Sequence, residues 1–395
     1  MKRRDFLTNS ALLGATAILP ATVASCSNNN NKGAEKKLSN EELGMFSFVN
    51  IAPDGDPLKA ALIGCGDRGT GAASQFLESG PNVSIVALAD LFSDRMDTCR
   101  KILADKFNNN VEDSRCFLGF EAYKKILELP DIDVVLLCTP THFRPEHFKA
   151  AVEAGKHIFM EKPCAVDPVG IRTVIAASKV ATSKGLTVIT GNQRRHRRDY
   201  WEAYAQVRNG LIGEVVSATS HWNQGAWWNK RHIPVWSDME YCIRNWFNIK
   251  WLSGDHILDQ GIHNIDVVTW FMGDLPIRAA GYGGRARRLT GDIFDFFSVD
   301  YCYNNNKRML HTARQIDGCD GNVSEQVLGT KGIAQLNDGG GIKILDWNGD
   351  ILWEEEMPEK ESVTEELPRI ERIEAAEDIE EARTEELPRI QKIEA

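Results

Sequence analysis

A glycine-rich turn between an apolar strand and an amphipathic helix constrains the fold of this chain more than any other feature. The strand Ala60–Ile63 leads into the run Gly-Cys-Gly-Asp-Arg-Gly at residues 64–69, and a helical pattern follows. In that context Gly64 allows a tight turn, Gly66 lets the backbone approach a diphosphate, and Gly69 lets the helix pack on the strand. Phosphates then lie at the helix N-terminus, where free N–H groups and the helix dipole favour an anion. The turn therefore predicts a dinucleotide site.

Strand and helix patterns alternate from residue 57 to residue 191. Short apolar runs predict strands, and apolar residues at three- and four-residue spacing predict helices between them. Because parallel strands need crossover helices, this alternation predicts a doubly wound α/β domain of the Rossmann type over residues 57–191. The predicted strands are Ala60–Ile63, Val83–Ala89, Val134–Cys138, His157–Met160 and Leu186–Ile189. The predicted helices are Thr70–Leu77, Asp94–Phe107, Phe120–Leu129, Arg144–Ala154 and Pro168–Ser183.

The pattern changes beyond residue 191. One helix, Asp199–Asn209, precedes strand-like runs, of which the later ones follow one another directly, as is typical of antiparallel sheets. We therefore predict an α+β domain with a mostly antiparallel sheet over residues 192–353, one face of which closes a site against the first domain. Residues 225–251 hold five tryptophans with little periodicity, so they either border a pocket or pack between the domains. The predicted strands are Val215–Trp222, Arg278–Gly283, Phe296–Tyr303, Arg308–Gln315 and Ser324–Leu328.

The second predicted strand ends at an acidic residue, Asp90, which lies 21 residues beyond Gly69. A carboxylate at that position can accept hydrogen bonds from the ribose 2′-hydroxyl and repels a 2′-phosphate. NAD is therefore the predicted cofactor, in preference to NADP. The alternative is that Asp90 only caps the helix that follows it.

The N-terminus predicts an export signal. Basic residues 2–4 precede an apolar run at 11–19, which is shorter than the roughly 20 residues that a membrane-spanning helix needs. The paired arginines resemble a twin-arginine signal, and Val-Ala-Ser-Cys at 23–26 resembles a bacterial lipobox. We predict a signal over residues 1–26, lipidation of Cys26, and a lipid-anchored protein in the periplasm or cell envelope. Ordinary secretion is the alternative.

Two polar segments flank the predicted domains. Residues 27–56 include four consecutive asparagines and predict a flexible spacer. Residues 354–395 hold 16 acidic and 6 basic residues, and the run Thr-Glu-Glu-Leu-Pro-Arg-Ile occurs there twice, at 364–370 and 384–390. Two copies are too few for a solenoid, so we predict a solvated acidic repeat tail over 354–395.

Charge and cysteine distribution argue against several classes of partner. The formal net charge is −10, and outside the tail 40 acidic residues balance 40 basic ones. A neutral body has no field that attracts phosphates, so no nucleic-acid partner is expected. The nine cysteines include no Cys-x-x-Cys pair, so neither a metal site nor a disulfide framework is expected.

Polar residues follow two further strands, at the sheet edge where ligands of such domains bind. Thr-Pro at 139–140 follows one strand, and Glu-Lys-Pro at 161–163 follows the next. With the glycine-rich run, with Ala-Gly-Lys-His at 154–157 and with Asp-Gln-Gly-Ile-His at 259–263, these motifs resemble the Gfo/Idh/MocA family of glucose-fructose oxidoreductases and inositol dehydrogenases. The resemblance covers residues 58–345 and rests on the order and spacing of several motifs.

The resemblance implies a cofactor site and a catalytic centre between the domains. It places Lys162, Asp259 and His263 at the reacting carbon, where Lys162 and His263 exchange the hydroxyl proton while hydride passes to the nicotinamide. On one helix Asp259 and His263, at i and i+4, share a face, so the carboxylate can orient the imidazole or tune its charge. The predicted cofactor contacts are Gly64, Gly66, Asp67, Arg68, Gly69, Asp90, Thr139, Pro140, His142, Glu161, Lys162, Asn192 and Gln193. Aromatic faces with a few amides and charges suit a sugar ring, so residues in or beside the tryptophan-rich segment are predicted to contact the substrate, together with Arg194, which the resemblance places at the site. These predicted substrate contacts are Arg194, Tyr241, Arg244, Asn245, Trp246 and Asn264.

The predicted export bears on the reaction, because an exported dehydrogenase has no soluble nicotinamide pool with which to exchange its cofactor. A tightly held NAD, carried across the membrane in a folded protein, meets this difficulty. The main prediction is an NAD-dependent oxidoreductase that acts on a sugar or glycoside. The first alternative is a redox-neutral glycosidase similar to the NAD-dependent N-acetylgalactosaminidases of glycoside hydrolase family 109. The second is a surface glycan-binding protein without turnover. Whether the protein forms a homo-oligomer is left open.

Overall fold

The structure, a computed structural model, describes residues 56–337 and 341–355, together with Ser39, Glu42 and Leu43. The predicted signal at 1–26, nearly all of the predicted spacer at 27–56 and all but the first two residues of the predicted tail at 354–395 lie outside these residues. Both sheets described below belong to one compact unit, which ends at Glu355. Within the described ranges no helix has the length and apolar character to cross a membrane.

Six strands form the sheet of the first domain. They are β1 Leu58–Ile63, β2 Val83–Asp90, β3 Cys116–Leu118, β4 Val134–Leu137, β5 His157–Met160 and β6 Val188–Thr190. Their order is β3-β2-β1-β4-β5-β6, and every neighbouring pair is parallel. The predicted doubly wound fold is therefore confirmed. Since the chain order reverses direction between β1 and β4, the carboxyl ends of these strands border the crevice where ligands bind in such sheets.

Five helices cover the two faces of this sheet. They are α1 Asp67–Glu78, α2 Ser93–Phe107, α3 Ala122–Glu128, α4 Arg144–Glu153 and α5 Pro168–Ser183. Successive side chains of a strand point to opposite faces. Ala61 and Ile63 of β1 accordingly join one core, whereas Ala60 and Leu62 join the other. Burial on both faces explains why β1 is continuously apolar in sequence.

Eight strands form the sheet of the second domain. They are β7 Val215–Gln224, β8 Arg278–Gly284, β9 Phe296–Cys302, β10 Arg308–Gln315, β11 Asn322–Gly329, β12 Gly332–Asn337, β13 Gly341–Asp346 and β14 Ile351–Glu354. Their order is β14-β13-β12-β11-β7-β10-β9-β8. Only β7 and β10 pair in parallel, so the predicted mostly antiparallel sheet is confirmed.

Five further helices accompany the second sheet. They are α6 Arg198–Arg208, α7 Asp238–Arg244, α8 Lys250–Ser253, α9 His256–Asp259 and α10 Ile262–Met272. Helices α6 and α10 pack on the sheet through a core that includes Tyr200, Phe271, Met309 and Val327. Helices α7 to α10 lie in the connection between β7 and β8, and the tryptophan-rich region predicted as irregular contains α7 and α8.

Asp259 and His263 lie on separate helices, because α9 ends at Asp259 and α10 begins three residues later. The prediction of one continuous helix through both residues is therefore wrong. The N–H groups of Gln260 and Gly261 donate to the same carbonyl of α9, and His263 N–H donates to Gln260 O, so the regular four-residue step is lost. The sheet packs closely at the break, where a Cβ on Gly261 would lie 2.7 Å from His311 Nε2.

Candidate active site

The turn after β1 depends on three glycines, two of which allow close packing of the backbone and one of which, Gly66, leaves space for a diphosphate. A Cβ at Gly64, whose φ is +99°, would lie 2.7 Å from the carbonyl carbon of Cys138, and one at Gly69 would lie 1.8 Å from Gly64 O. A Cβ at Gly66 would meet only the Arg95 side chain within 4 Å, with Nη1 at 3.0 Å. The turn thus fits the diphosphate of a dinucleotide at the N-terminus of α1. Arg95, which the sequence analysis did not single out, adds a guanidinium group at its edge.

Asp90, at the end of β2, is tied to this turn. Its Oδ2 accepts a hydrogen bond from Cys65 N–H at 2.6 Å, and its Oδ1 accepts one from Phe92 N–H at 2.8 Å. Each carboxylate oxygen has a second lone pair, so both can still accept from ribose hydroxyls. Helix α2 begins without a side-chain cap, which leaves the alternative role of Asp90 as its cap unsupported.

Arg68 and Glu161 meet across the crevice between the ends of β1 and β5. Arg68 Nε lies 2.6 Å from Glu161 Oε1, and the Glu161 side chain is almost fully buried. Glu161 Oε2 accepts a hydrogen bond from Lys162 N–H at 3.2 Å and would lie 2.7 Å from a Cβ at Gly191. The Glu161 carboxylate therefore lies against Arg68 of α1, the backbone of Lys162 and Gly191, which surround the predicted nicotinamide end of the site.

Arg144 holds the loops that follow β4 and β5 together. Its Nε donates to Thr139 O at 2.8 Å, and its Nη1 donates to Pro163 O at 2.6 Å. The side chain is buried, and burial lowers the pKa of its guanidinium group. Thr139 Oγ1 also lies 3.3 Å from Nδ1 of His147, whose pKa burial lowers to about 4. Arg144 was missed as a site residue because contacts with backbone carbonyls leave no motif in the sequence.

Lys162 and Asp259 form the main polar contact between the two domains at the predicted catalytic centre. Lys162 Nζ donates to Asp259 O at 2.5 Å and lies 3.5 Å from Asp259 Oδ2. The Lys162 side chain is 14% exposed and that of Asp259 is 3% exposed. Gln260 Nε2 donates to Asp259 Oδ2 at 2.6 Å, and it too was missed from sequence. The carboxylate is thus fixed by Gln260, and the lysine by the end of α9.

His263 is buried beside this pair. Burial lowers its pKa to about 2, and the positive charges of Lys162 and Arg194 act in the same direction. The imidazole is therefore neutral near pH 7, and it packs against the Trp222 ring with centroids 5.4 Å apart. Among the described residues no hydrogen bond or ion pair joins His263 to Asp259, which instead contacts Lys162 and Gln260.

Three of the predicted substrate contacts lie in the protein interior. Arg194 forms a buried ion pair with Glu325, and its guanidinium carbon lies 5.6 Å from the Tyr200 ring centroid. The amide of Asn264 donates to one backbone carbonyl of β7 and one of β11. Asn245 accepts hydrogen bonds from a backbone N–H and from a neighbouring asparagine. These side chains are engaged with other protein groups, and their contact with substrate stays a prediction.

The remaining predicted residues lie in helices and loops around the crevice. His142 is exposed and meets the Trp251 ring edge-on at 5.0 Å, which brings the loop after β4 against α8. Trp246 packs on aromatic neighbours at 6.1 Å, and Tyr241 lies 4.8 Å from the ring of His232. Arg244 contacts the segment that follows Asp90. Asp67 begins α1, Pro140 lies in the loop after β4, and Asn192 and Gln193 lie where the chain enters the second domain.

Two family models match consecutive parts of the chain. Residues 58–191 match the oxidoreductase family with an NAD-binding Rossmann fold, and residues 205–386 match the C-terminal alpha/beta domain of the same oxidoreductase family. Together they cover most of the chain. The second match continues past Glu355, beyond the residues that the structure describes.

Individual relatives agree with this assignment. The chain is 29% identical to myo-inositol 2-dehydrogenase of Thermotoga maritima over 178 residues, which are 44% of this chain and 47% of that protein. It is 36% identical to glycosyl hydrolase family 109 protein 1 of Bacteroides fragilis over 115 residues, which are 29% of this chain and 24% of that protein. These matches span less than half of each relative.

One solved structure illustrates the likeness of fold. The aldose-aldose oxidoreductase of Caulobacter crescentus superposes with a TM-score of 0.60 at 19% identity and covers 76% of this chain and 85% of its own. At this identity the likeness shows the fold alone. With the glycine-rich turn, Asp90 and both family models in agreement, the chain belongs to the Gfo/Idh/MocA family of NAD-binding oxidoreductases.

Proposed function

We propose that the protein is an NAD-dependent oxidoreductase that transfers hydride between a sugar or glycoside and a tightly held NAD. The observation that carries the proposal is the convergence of Lys162 from β5 with Asp259 and His263 from the second domain, at the sheet edge that holds the dinucleotide turn. Such a centre can exchange the proton of a substrate hydroxyl. The names of the relatives, an inositol dehydrogenase and a glycosyl hydrolase, support a polyhydroxylated substrate.

In this mechanism the protein positions the substrate hydroxyl and moves its proton. When bound, NAD supplies the acceptor and donor of hydride. Lys162 directs a positive charge at the oxygen on which negative charge develops, and Asp259 and the α9 carbonyl hold that ammonium in place. His263, which is neutral, can take the proton of the same hydroxyl as the hydride leaves the carbon, and can give it back when the hydride returns. Asp259 and His263 are buried and the Lys162 side chain is only 14% exposed, and this low exposure to water strengthens the interactions.

The similarity to the family 109 glycosyl hydrolase favours a second candidate function, a redox-neutral glycosidase. Oxidation of a sugar hydroxyl to a ketone acidifies the neighbouring C–H, and loss of that proton expels the glycosidic group. Water then adds to the double bond, and return of the hydride restores the alcohol. Overall one glycosidic bond is hydrolysed and no cofactor is consumed. A glycan-binding protein without turnover is disfavoured, because the Lys162–Asp259 contact is in place.

Localisation forms part of the proposal. The paired arginines and the sequence Val-Ala-Ser-Cys at 23–26 support an exported protein anchored in the cell envelope through lipid on Cys26. In the native host, or in a host with the matching export and lipidation machinery, the wild type should fractionate with membranes. Cys26→Ser should fractionate with soluble proteins. Equal membrane association of the two would contradict the anchor. Self-association, which the sequence leaves open, can be measured on the same preparations by light scattering.

The test of function begins with the protein purified from Ser27 onward without added nucleotide. The protein is denatured, the supernatant is assayed for NAD, and the native protein is tested on a panel of nitrophenyl glycosides. Near one equivalent of NAD together with glycoside cleavage supports the glycosidase. NAD that is reduced by a free sugar, without cleavage, supports the dehydrogenase. Absence of NAD together with no affinity for added NAD contradicts both and leaves glycan binding.

A further inference from the structure

Arg244 of the second domain contacts the loop after β2 and the first turn of α2 in the first domain. Its guanidinium carbon lies 3.8 Å from the centroid of the Phe92 ring and 5.0 Å from that of Trp236. Nη1 and Nη2 each donate to one carboxylate oxygen of Asp94 at 3.0 Å, and Nε donates to Glu240 Oε1 at 2.8 Å. The Arg244 side chain is only 13% exposed. A bidentate pair combined with a stacked guanidinium is a geometry that lysine cannot reproduce.

This contact lies at the adenosine end of the dinucleotide site. Phe92 N–H donates to the carboxylate of Asp90, the predicted ribose acceptor. Arg95, next in sequence to Asp94, approaches the place of the missing Cβ of Gly66. The segment from Asp90 to Arg95, which includes the start of α2, would therefore have the adenosine ribose and the diphosphate on one side, and it has Arg244 on the other. Arg244 is thus a residue of the second domain that contacts the cofactor-binding turn away from the catalytic centre.

We propose that Arg244 is a cofactor-retention residue, whose contact with Phe92 and Asp94 closes the second domain over the adenosine end, so that NAD leaves only after this contact opens. The inference rests on the tightly held NAD of the proposed function and identifies a group that retains it. The edge-on contact of His142 with Trp251 links the two domains at a second point, in the loop after β4. With both contacts closed, opening of the crevice requires the Arg244–Asp94 ion pair and the edge-on ring contact to separate together.

The charges around the contact fit this role. Asp94 is 62% exposed, and as an unpaired carboxylate two residues beyond Phe92 it would repel the diphosphate. Arg244 neutralises it, and the hydrogen bonds from Arg244 lower the pKa of Asp94. Arg95 remains beside the turn as a cation. Closure of the contact thus also favours the anionic cofactor electrostatically.

The test measures release of NAD directly. Purified protein loaded with carbon-14 NAD is mixed with excess unlabelled NAD, and the label that remains with the protein is followed by gel filtration. In Arg244→Gln the label should be released roughly tenfold faster than in the wild type, since both the ion pair and the stacked cation are lost. In Asp94→Asn release should also be faster, but by a smaller factor, since the ion pair is lost while the stacked cation stays and no carboxylate is left to repel the diphosphate. Arg244→Lys should be intermediate.

The matched control is Arg308→Gln, which breaks a similar arginine–aspartate pair, with Asp300, between β9 and β10. Its release rate should equal that of the wild type. The charge-exchanged double variant Asp94→Arg/Arg244→Asp should regain part of the slow release, which a merely destabilised domain would not. Thermal unfolding without nucleotide identifies any variant that does not fold. The NAD release rates of the folded variants then test the proposal.

Wild-type release rates in folded Arg244→Gln and Asp94→Asn would overturn the retention role while leaving the proposed function intact. A wild type that neither holds nor binds NAD would overturn the proposed function first, and the inference with it. Faster release in both Arg244→Gln and the Arg308→Gln control would attribute the effect to general loosening and would likewise reject the proposal.

Discussion

Lys162 Nζ lies 2.5 Å from the backbone oxygen of Asp259 and 3.5 Å from its carboxylate, so the end of β5 is joined to the end of α9 at the candidate catalytic centre. The backbone contact survives replacement of the Asp259 side chain, whereas the contact with the carboxylate does not. The two interactions can therefore be separated by a substitution that keeps the shape of the side chain.

We expect Asp259→Asn to lower turnover by about a hundredfold or more while the protein keeps its NAD. The carboxylate holds Lys162 in position at the reacting hydroxyl, and a positioned proton-transfer group contributes about 10² to 10⁴ in rate. Hydride transfer is followed by the absorbance of NADH, and bound NAD is measured after denaturation. Asp274→Asn, at an exposed turn, is the control and should retain full activity. Unchanged turnover in Asp259→Asn would remove Asp259 from the mechanism.

Two alanine substitutions in the glycine-rich turn should affect different properties, one the binding of NAD and the other the stability of the fold. In Gly66→Ala the methyl group meets only the mobile end of Arg95, so the protein should fold but bind NAD weakly, because the methyl occupies the place of the diphosphate. In Gly69→Ala the methyl would lie 1.8 Å from a backbone oxygen, and strain should lower the free energy of unfolding by about 1–3 kcal/mol. Urea unfolding and NAD titration separate the two effects. Gly321→Ala, with an open environment, should change neither.

Replacement of the buried Arg144 by leucine should destabilise the first domain. The carbonyl groups of Thr139 and Pro163 would lose their donor, at a cost of about 1–3 kcal/mol for each buried acceptor left without a partner. The midpoint of urea unfolding should fall accordingly, and turnover should fall because the two loops carry the site. Arg198→Leu is the control, since its exposed pair with Glu202 lies within one helix. Equal midpoints for the wild type and Arg144→Leu would contradict this role.

Acid should destabilise the protein through histidines that are buried in their neutral form. His256 is fully buried, neither ring nitrogen has a hydrogen-bond partner in the described structure, and burial lowers its pKa to about 3. The unfolded chain binds this proton below about pH 6.5, so stability falls as the pH drops from 6.5 towards the folded-state pKa. His256→Leu should reduce the loss of stability between pH 7.5 and pH 5 by up to about 2 kcal/mol.

Urea unfolding of His256→Leu at both pH values measures this effect. His232→Leu, whose side chain is 41% exposed in the wild type, is the control. A pH dependence in His256→Leu identical to that of the wild type would mean that His256 takes up its proton without unfolding. Activity near pH 7 should change little, since His256 contacts Phe297 and none of the proposed catalytic side chains.

The parts of the fold that follow from local patterns were predictable. β1, its turn and α1 follow from an apolar run, three glycines and a helical period, and the helix Pro168–Ser183 is predicted to the residue. β3 has only three residues, too few to show a period, and was missed. The break between Asp259 and His263 was also missed, although Gly261 offered a local signal, because a single glycine does not by itself end a helix and the close packing of this glycine against His311 is visible only in the structure.

The site residues likewise fall into those that a sequence motif identifies and those that only the structure reveals. Lys162, Asp259 and His263 belong to motifs, so a resemblance could identify them. Arg144 acts through carbonyl groups, which every residue carries, and so leaves no pattern. Arg244 was predicted to contact substrate from its place in the aromatic segment, but the structure places it on Asp94, 150 residues away. Such a pairing is decided by how the two domains meet.

The parallel pair of β7 and β10 has an evolutionary consequence. Residues 225–277 leave the second sheet after β7 and return at β8, three strands away across β10 and β9, and they carry Arg244, Asp259 and His263. Because β8 runs in the same direction as β7 and Arg278 is in register with Ser217, the two ends are roughly 14 Å apart across the sheet and about 23 Å apart along the strands. A descendant could therefore lengthen, shorten or replace this excursion without changing any hydrogen-bond register of the sheet. The same scaffold can in this way acquire a new substrate by exchange of a single continuous segment.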